Sequence, residues 1–254
     1  MELFLQEHYY IDFSSPLIRN KAAELFGPLE DSVEIAMVAY EFVRDEIPHT
    51  FDIRSDIITS KASDVLKHKT GICHAKANLL AALLRLRGIP TGFCYARLML
   101  SDDDDDSLGY ALHCYNAIYL GGRWIKVDAR GNKPGVDARF SLGEPVLAYP
   151  CRPEYGEYLC PGIYASPHGA TMRMLDRATR LQEVLDEIPD TIDESPDADE
   201  SPDVGESQDV DESPDADESP DVDESPDVDE SPDAVEVDME VDVKMEEEME
   251  VDRS

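Results

Sequence analysis

Apolar residues recur at helical spacing through the first part of the chain, between signals that start and stop helices. The stretch 16–26 begins with Pro16, which suits the first turn of a helix, and Gly27 follows its last residue. A capping-box pattern at Asp31 opens a second helix. That helix must end before Pro48, because proline disfavours helical backbone in the residue before it. Both predicted helices carry an apolar face for a common core.

The segment from Cys73 to Arg87 gives a clearer helical signal. It is rich in Ala and Leu and closes at Gly88-Ile89-Pro90, where Gly88 suits the left-handed residue that ends many helices. Because apolar residues surround most of its circumference, we expect this helix to be buried, with Cys73 at its start. A shorter helix is predicted over 61–67.

The next patterns predict three strands, over 92–100, 112–120 and 123–128. The last two flank Gly121-Gly122, a pair typical of a two-residue hairpin. Helical periodicity returns over 170–188. Helices followed by antiparallel strands predict an α+β domain in which the N-terminal helices pack on an antiparallel sheet.

Charge divides the chain at Pro189. The sequence carries a formal charge of −35 from 57 acidic and 22 basic residues. Residues 190–254 hold 30 acidic and 2 basic residues, a net −28, and residues 1–189 hold 27 and 20, a net −7. The hexapeptide D-E-S-P-D-[AV] runs seven times over 193–234, with one degenerate copy. Regular prolines, dense like charge and few large apolar residues predict a disordered tail behind one globular domain.

These patterns argue against several classes of protein. A chain this acidic repels phosphates, so we expect no nucleic-acid binding. The N-terminus has no basic segment followed by an apolar run, and the longest apolar stretch is far too short to cross a membrane. Five cysteines without a C-x-x-C pair do not indicate a disulfide framework. We therefore expect a cytoplasmic protein that contacts no membrane.

The hairpin places a histidine and an aspartate on one face of the sheet. A two-residue turn pairs Leu120 with Arg123, and counting away from the turn sets Tyr115 opposite Asp128. Since side chains alternate with a period of two, His113 shares the face of Asp128 as its diagonal neighbour. Their backbones are then roughly 7–8 Å apart, a gap that an imidazole and a carboxylate can close. A turn one residue longer or shorter would reverse this parity.

Cys73 is the candidate nucleophile. A helix start favours negative charge, and a nearby imidazolium lowers a thiol pKa further. A cysteine there, facing a His–Asp pair, is an arrangement for thiol acyl transfer. Cys73 would attack a carbonyl carbon, His113 would move the proton to the leaving amine, and Asp128 would hold the imidazole. The Cys73 backbone N–H is a candidate oxyanion donor, and the sequence does not identify a second one.

These residues resemble the transglutaminase-like superfamily, in its bacterial cysteine-peptidase-like branch. The similarity is strongest over 62–134, in the segments G-I-C-H-A-K-A-N-L-L-A-A-L-L-R-L-R-G-I-P-T-G and H-C-Y-N-A-I-Y-L-G-G-R-W-I-K-V-D. The family has a cysteine at the head of a helix that ends in a G-I-P turn, then a histidine, a tryptophan and an aspartate on two strands. The matching positions are Cys73, Gly88-Ile89-Pro90, His113, Trp124 and Asp128.

This resemblance implies a papain-like cysteine-enzyme fold with catalytic roles for Cys73, His113 and Asp128, and no cofactor or metal. The chain departs from the family after the histidine. Where the family often has H-A-W-x-E-V, this chain has H-C-Y-N-A-I, which bears on substrate preference. The calcium-site residues of the animal cross-linking enzymes have no match, so their calcium dependence is not carried over.

Each candidate also has a structural alternative. Cys73 could be a buried core thiol, and a zinc site of Cys73, His113 and Cys114 would lack paired-ligand spacing. His74 is expected to pack or to face solvent, because it lies about 100° round the helix from Cys73. The run Asp102–Asp106 indicates a solvated loop. The other histidines have no motif partner and the other cysteines are expected to be small buried side chains: His8, His49, His68 and His168, and Cys94, Cys114, Cys151 and Cys160.

The sequence thus predicts a thiol-dependent hydrolase or acyltransferase that acts on an amide or peptide carbonyl through a thioester. Hydrolysis is the first expectation, because water is the default acceptor, and transamidation is the second. The alternative is a catalytically inactive fold that binds proteins, with the acidic tail recruiting a basic partner.

Deleting residues 190–254 should leave both folding and the reactivity of Cys73 unchanged, because the predicted tail adds charge and no core. Thermal unfolding by circular dichroism and iodoacetamide labelling of the full and shortened chains would check this. A shortened chain that unfolds, or in which Cys73 no longer reacts with iodoacetamide, would disprove the division into a globular domain and a separate tail.

Overall fold

The computed structural model describes residues 1–100 and 109–192. The Asp102–Asp106 run and the hexapeptide repeats lie outside the described residues, so the disordered tail stays a prediction. Contacts continue just past Pro189. Arg97 forms an ion pair with Asp190 at 3.2 Å, and Ile192 packs against the core. The boundary between 1–189 and 190–254 likewise stays a prediction.

Three N-terminal helices form where the sequence predicts them: α1 (Pro16–Phe26), α2 (Ser32–Glu46) and α3 (Ala62–His68). The Asp31 carboxylate caps α2 by accepting hydrogen bonds from the backbone N–H groups of Val33 and Glu34. At the other end, Ile47 is already extended before Pro48. Local chain chemistry therefore sets both ends of α2.

The buried helix α4 (Cys73–Leu86) is the centre of the domain. Every side chain from Cys73 to Arg85 is buried. Three of its polar side chains, Lys76, Asn78 and Arg85, donate hydrogen bonds to backbone carbonyls of neighbouring segments. Gly88 follows the helix with a φ of +71°, as the predicted end requires. These contacts hold the first turn of α4, and so Cys73, in one place.

An antiparallel sheet covers this helix, in the order β3-β2-β1-β4. The strands are β1 (Thr91–Met99), β2 (Tyr110–Leu120), β3 (Arg123–Val127) and β4 (Tyr158–Leu159). The first three lie within two residues of their predicted bounds, whereas β4 is too short to show a period. Leu120 pairs with Arg123, and Gly121 and Gly122 have φ values of 56° and 84°. The two-residue turn on which the parity depends is therefore confirmed.

The helical pattern predicted over 170–188 is confirmed for most of this stretch, but not as one continuous helix. Two helices replace it, α5 (Gly169–Arg177) and α6 (Leu181–Glu187). The chain is extended at Ala178, and the N–H of Thr179 donates to the Glu183 carboxylate at 2.8 Å. The extended backbone at Ala178 and Arg180 separates the two helices, although the apolar periodicity continues across the break. Among the helices of the described residues, none combines the length and the apolar run that a membrane span needs.

Leu83→Ala should lower the free energy of unfolding by about 2–5 kcal/mol, because Leu83 is fully buried in α4. The matched control, Leu17→Ala in α1, should cost less than about 0.5 kcal/mol, since Leu17 is 46% exposed. Urea unfolding followed by Trp124 fluorescence measures both. Equal losses would contradict the placement of the core around α4.

Candidate active site

Cys73 opens α4 and lines a cavity of about 390 Å³. The first backbone hydrogen bond of the helix runs from the N–H of Lys76 to the carbonyl of Ile72, so the N–H of Cys73 is not used by the helix. It donates instead to Nε2 of His49, at 3.0 Å. The thiol itself is nearly enclosed, with Cys73 8% exposed. The start of the helix therefore presents a sulfur and a backbone donor to one cavity.

His113 and Asp128 meet as the hairpin parity predicts. Nε2 of His113 lies 2.8 Å from Oδ2 of Asp128, and the aspartate is fully buried. The carboxylate also accepts the backbone N–H groups of Arg130, at 3.1 Å, and Ala148, at 3.0 Å. These donors compensate a charge that would otherwise be costly to bury. Asp128 is thus fixed, and it fixes the imidazole.

The thiol and the imidazole shift each other's proton affinity. Burial by itself raises the pKa of Cys73, but the imidazoles of His74 and His113 outweigh burial and hold that pKa well below its ordinary value. Burial lowers the pKa of His113, but Asp128 and Cys73 outweigh it and raise that pKa to about 10. Both shifts favour a thiolate–imidazolium pair over the neutral pair around neutral pH.

The other four cysteines show the opposite behaviour. All five cysteines are free thiols. Burial raises the pKa of each of the other four, and to about 11 for Cys94. The expectation of small buried side chains holds for three of them, whereas Cys151 is only partly buried. Cys73 therefore stands apart by its charge environment and not by burial alone.

His74 touches the thiol directly, which the sequence does not predict. Its side chain is buried, so it packs and does not face solvent. Nδ1 lies 3.4 Å from Sγ of Cys73, and the ring lies 5.9 Å from that of Tyr95. The adjacent position on the helix thus brings a second imidazole to the sulfur.

His49 also lies at the site, although no sequence motif marks it. It lies 24 residues before Cys73 in the chain, and a bridge pairing it with Gly71 brings it beside the start of α4. No local motif marks such a contact, because it depends on how the segment after α2 folds back. The only sequence signal is a histidine directly after Pro48, the residue that ends the helix.

The cavity has an apolar wall, a charged corner, and a further ion pair between Arg152 and Glu157. In the corner the Arg130 guanidinium pairs with both oxygens of Asp52, and Lys133 lies 3.7 Å from the same carboxylate. The wall includes Phe51, Ile72, Leu98, Leu112 and Tyr149. A mostly apolar cleft with a few fixed polar groups is typical of a binding site for an extended or small organic substrate.

Within residues 1–100 and 109–192, no three His, Cys, Asp or Glu side chains are arranged to hold a metal ion. The zinc alternative needs His113 and Cys114 on one ion. Adjacent strand residues point to opposite faces, and Cys114 packs into the core instead.

Comparison with known proteins agrees with this geometry. Residues 19–129 match the family model described as the transglutaminase-like superfamily, and this range contains Cys73, His113 and Asp128. Residues 19–129 are therefore similar to the transglutaminase-like superfamily, and the helices and antiparallel sheet have the transglutaminase-like fold.

Other comparisons add less. One matching solved structure is that of a "Putative Cysteine Protease" from Cytophaga hutchinsonii, with 22% identity and a TM-score of 0.38. The match covers 50% of this chain and 40% of that chain, so it spans less than half of that protein's length. No curated protein matches this chain.

Asp128→Asn should lower the pKa of His113, because the carboxylate charge that favours the imidazolium is lost. A titration of the His113 ring by NMR should therefore show deprotonation well below the wild-type pH. Asp137→Asn is the matched control, since Asp137 is an exposed partner of Arg139. An unchanged His113 titration in Asp128→Asn would contradict the electrostatic role of Asp128.

Proposed function

We propose that this protein is a thiol-dependent hydrolase that acts on an amide or peptide carbonyl, with Cys73 as nucleophile. The observation that carries the proposal is a cysteine of lowered pKa at a helix start, in a cavity that it shares with His113, whose ring is hydrogen-bonded to the buried Asp128. A buried structural thiol has the opposite shift, as the other four cysteines show.

In the proposed first half-reaction, the Cys73 thiolate attacks the carbonyl carbon and a carbon–sulfur bond forms. The imidazolium of His113 gives its proton to the leaving nitrogen, the carbon–nitrogen bond breaks, and an amine departs. The enzyme then holds a thioester and a neutral imidazole. Asp128 keeps the ring oriented, because its carboxylate binds Nε2 and leaves Nδ1 for the reacting side.

In the second half-reaction, the neutral imidazole takes a proton from water, and the water oxygen attacks the thioester carbon. The carbon–sulfur bond breaks and releases the acid. The thiolate and imidazolium are restored, so the cycle needs no cofactor. An amine in place of water would give transamidation through the same thioester, and hydrolysis remains our first choice because water is the default acceptor.

The proposal includes a reducing, cytoplasmic location, because a thiol nucleophile must stay reduced to act. It assigns a peptide or another amide as substrate, and neither a nucleic acid nor a membrane as partner. Recruitment of a basic partner by the acidic tail stays a separate prediction.

The iodoacetamide alkylation rate of Cys73, measured against pH by peptide mapping, tests the proposal. A lowered pKa keeps the thiolate present as pH falls, so the wild-type rate should stay near its plateau well below about pH 8. In His113→Ala the rate at about pH 6.5 should fall by roughly 10-fold or more, because the imidazolium that stabilises the thiolate is gone. His68→Ala, at an exposed site in α3, is the control and should match wild type.

The inactive binding-module alternative makes a different forecast. A fold retained only for binding has no need of a thiolate, so Cys73 would label slowly, with an ordinary thiol profile, in wild type and in His113→Ala alike. That result would sink the enzyme proposal. A fast thiol followed by release of ammonia or amine from a peptide library, with and without added primary amine, would then separate hydrolysis from transamidation.

A further inference from the structure

The imidazole of His49 faces a backbone donor at each ring nitrogen. Nε2 lies 3.0 Å from the N–H nitrogen of Cys73, and Nδ1 lies 3.3 Å from that of Phe51. A neutral imidazole has one lone pair and one N–H, so it can accept only one of these two hydrogen bonds at a time. Either neutral tautomer of His49 can therefore be stabilised, one by the backbone N–H of Cys73 and the other by that of Phe51.

The site keeps His49 neutral. Burial has the largest effect and lowers its pKa; contact with Cys73 opposes burial, and Arg130 and Lys76 lower the pKa further, so the pKa of His49 lies below its ordinary value. The ring is 5% exposed and meets the Phe51 ring edge to face at 5.3 Å, so it has little freedom to move. A neutral, fixed imidazole has an N–H to donate at whichever nitrogen is protonated.

The position of His49 beside Cys73 would allow the N–H of its ring to donate to an oxygen that reacts at the sulfur. When a carbonyl carbon bonds to Sγ of Cys73, its oxygen becomes an oxyanion, and the N–H of Cys73, which the helix does not use, is the donor closest along the chain. Effective sites aim a second donor at the same oxygen. Nε2 of His49 lies within hydrogen-bond distance of that N–H nitrogen, so an oxygen that displaced this contact would meet both groups.

We propose that His49 is a catalytic residue and the second oxyanion donor, through its Nε2–H; this rests on the proposed function of Cys73. Before substrate binds, the Nε2 lone pair accepts the N–H of Cys73. When a carbonyl oxygen accepts the hydrogen bond from the N–H of Cys73 in place of Nε2, the tautomer protonated at Nε2 is favoured. Nδ1 then accepts the N–H of Phe51 and Nε2–H donates to the oxyanion. Solvent takes the proton from Nδ1 and supplies one to Nε2, so the ring stays neutral.

Two reactions of the same thiol separate this role from a structural one. Alkylation by iodoacetamide displaces iodide at a saturated carbon and forms no oxyanion. Acylation by p-nitrophenyl acetate passes through an oxyanion: a carbon–sulfur bond forms, the aryl ester bond breaks, and p-nitrophenolate leaves. Both rates are measured on the full chain at each variant's high-pH plateau, where the thiol is fully ionised and a shifted thiol pKa has no effect.

The matched variants are His49→Gln, whose amide places an N–H donor near the position of Nε2, and His49→Met, of similar length but without a donor. We expect acylation to slow by about 100-fold in His49→Met, the usual effect of losing one oxyanion donor, while alkylation changes by less than about 3-fold. His49→Gln should recover at least about 10-fold of the lost acylation rate. His68→Met, at the exposed site, should leave both rates as in wild type.

The remaining outcomes overturn the proposal. Parallel loss of both rates in His49→Met would make His49 a structural support of the pocket, and His49→Gln distinguishes a donor from a support even if the methionine variant is poorly folded. Equal acylation in the glutamine and methionine variants would remove the donor role. A wild-type thiol that alkylates like an ordinary cysteine would refute the function proposed for Cys73, and this inference with it.

Discussion

The hydrogen bond between His113 and Asp128 is the interaction on which the site depends. A fully buried carboxylate is tolerated only when donors surround it, and Asp128 has the imidazole and two backbone N–H groups. Its charge then offsets the cost of burying an imidazolium. That imidazolium in turn helps to stabilise a thiolate in a place where burial alone would protonate it.

The fold holds Cys73, His113 and Asp128 on rigid elements. Helix α4 is buried along its length, so Cys73 cannot drift from the sheet. The two-residue turn between β2 and β3 fixes the register of the hairpin. An electrostatic site works through groups that are already oriented when charge develops, and here backbone geometry orients them.

The core of the site could be predicted from the sequence because it depends on local rules. Helix-start chemistry places Cys73, and the period of a strand together with Gly121-Gly122 places His113 beside Asp128. The same rules could not place His49, because its contact with Cys73 depends on the path of an irregular segment. They also missed the thiol contact of His74, which depends on a side-chain direction. Periodicity also does not predict the break after α5, because the apolar spacing continues across the extended residues Ala178 and Arg180.

The most direct measurement of the central claim is the ultraviolet absorbance of the Cys73 thiolate, taken as the difference between wild type and Cys73→Ser during a pH titration. We expect the thiolate signal of Cys73 to be present at neutral pH and to disappear only well below the ordinary thiol pKa of about 8.5. A signal that first appears near or above that pH would show an ordinary buried thiol and contradict the account.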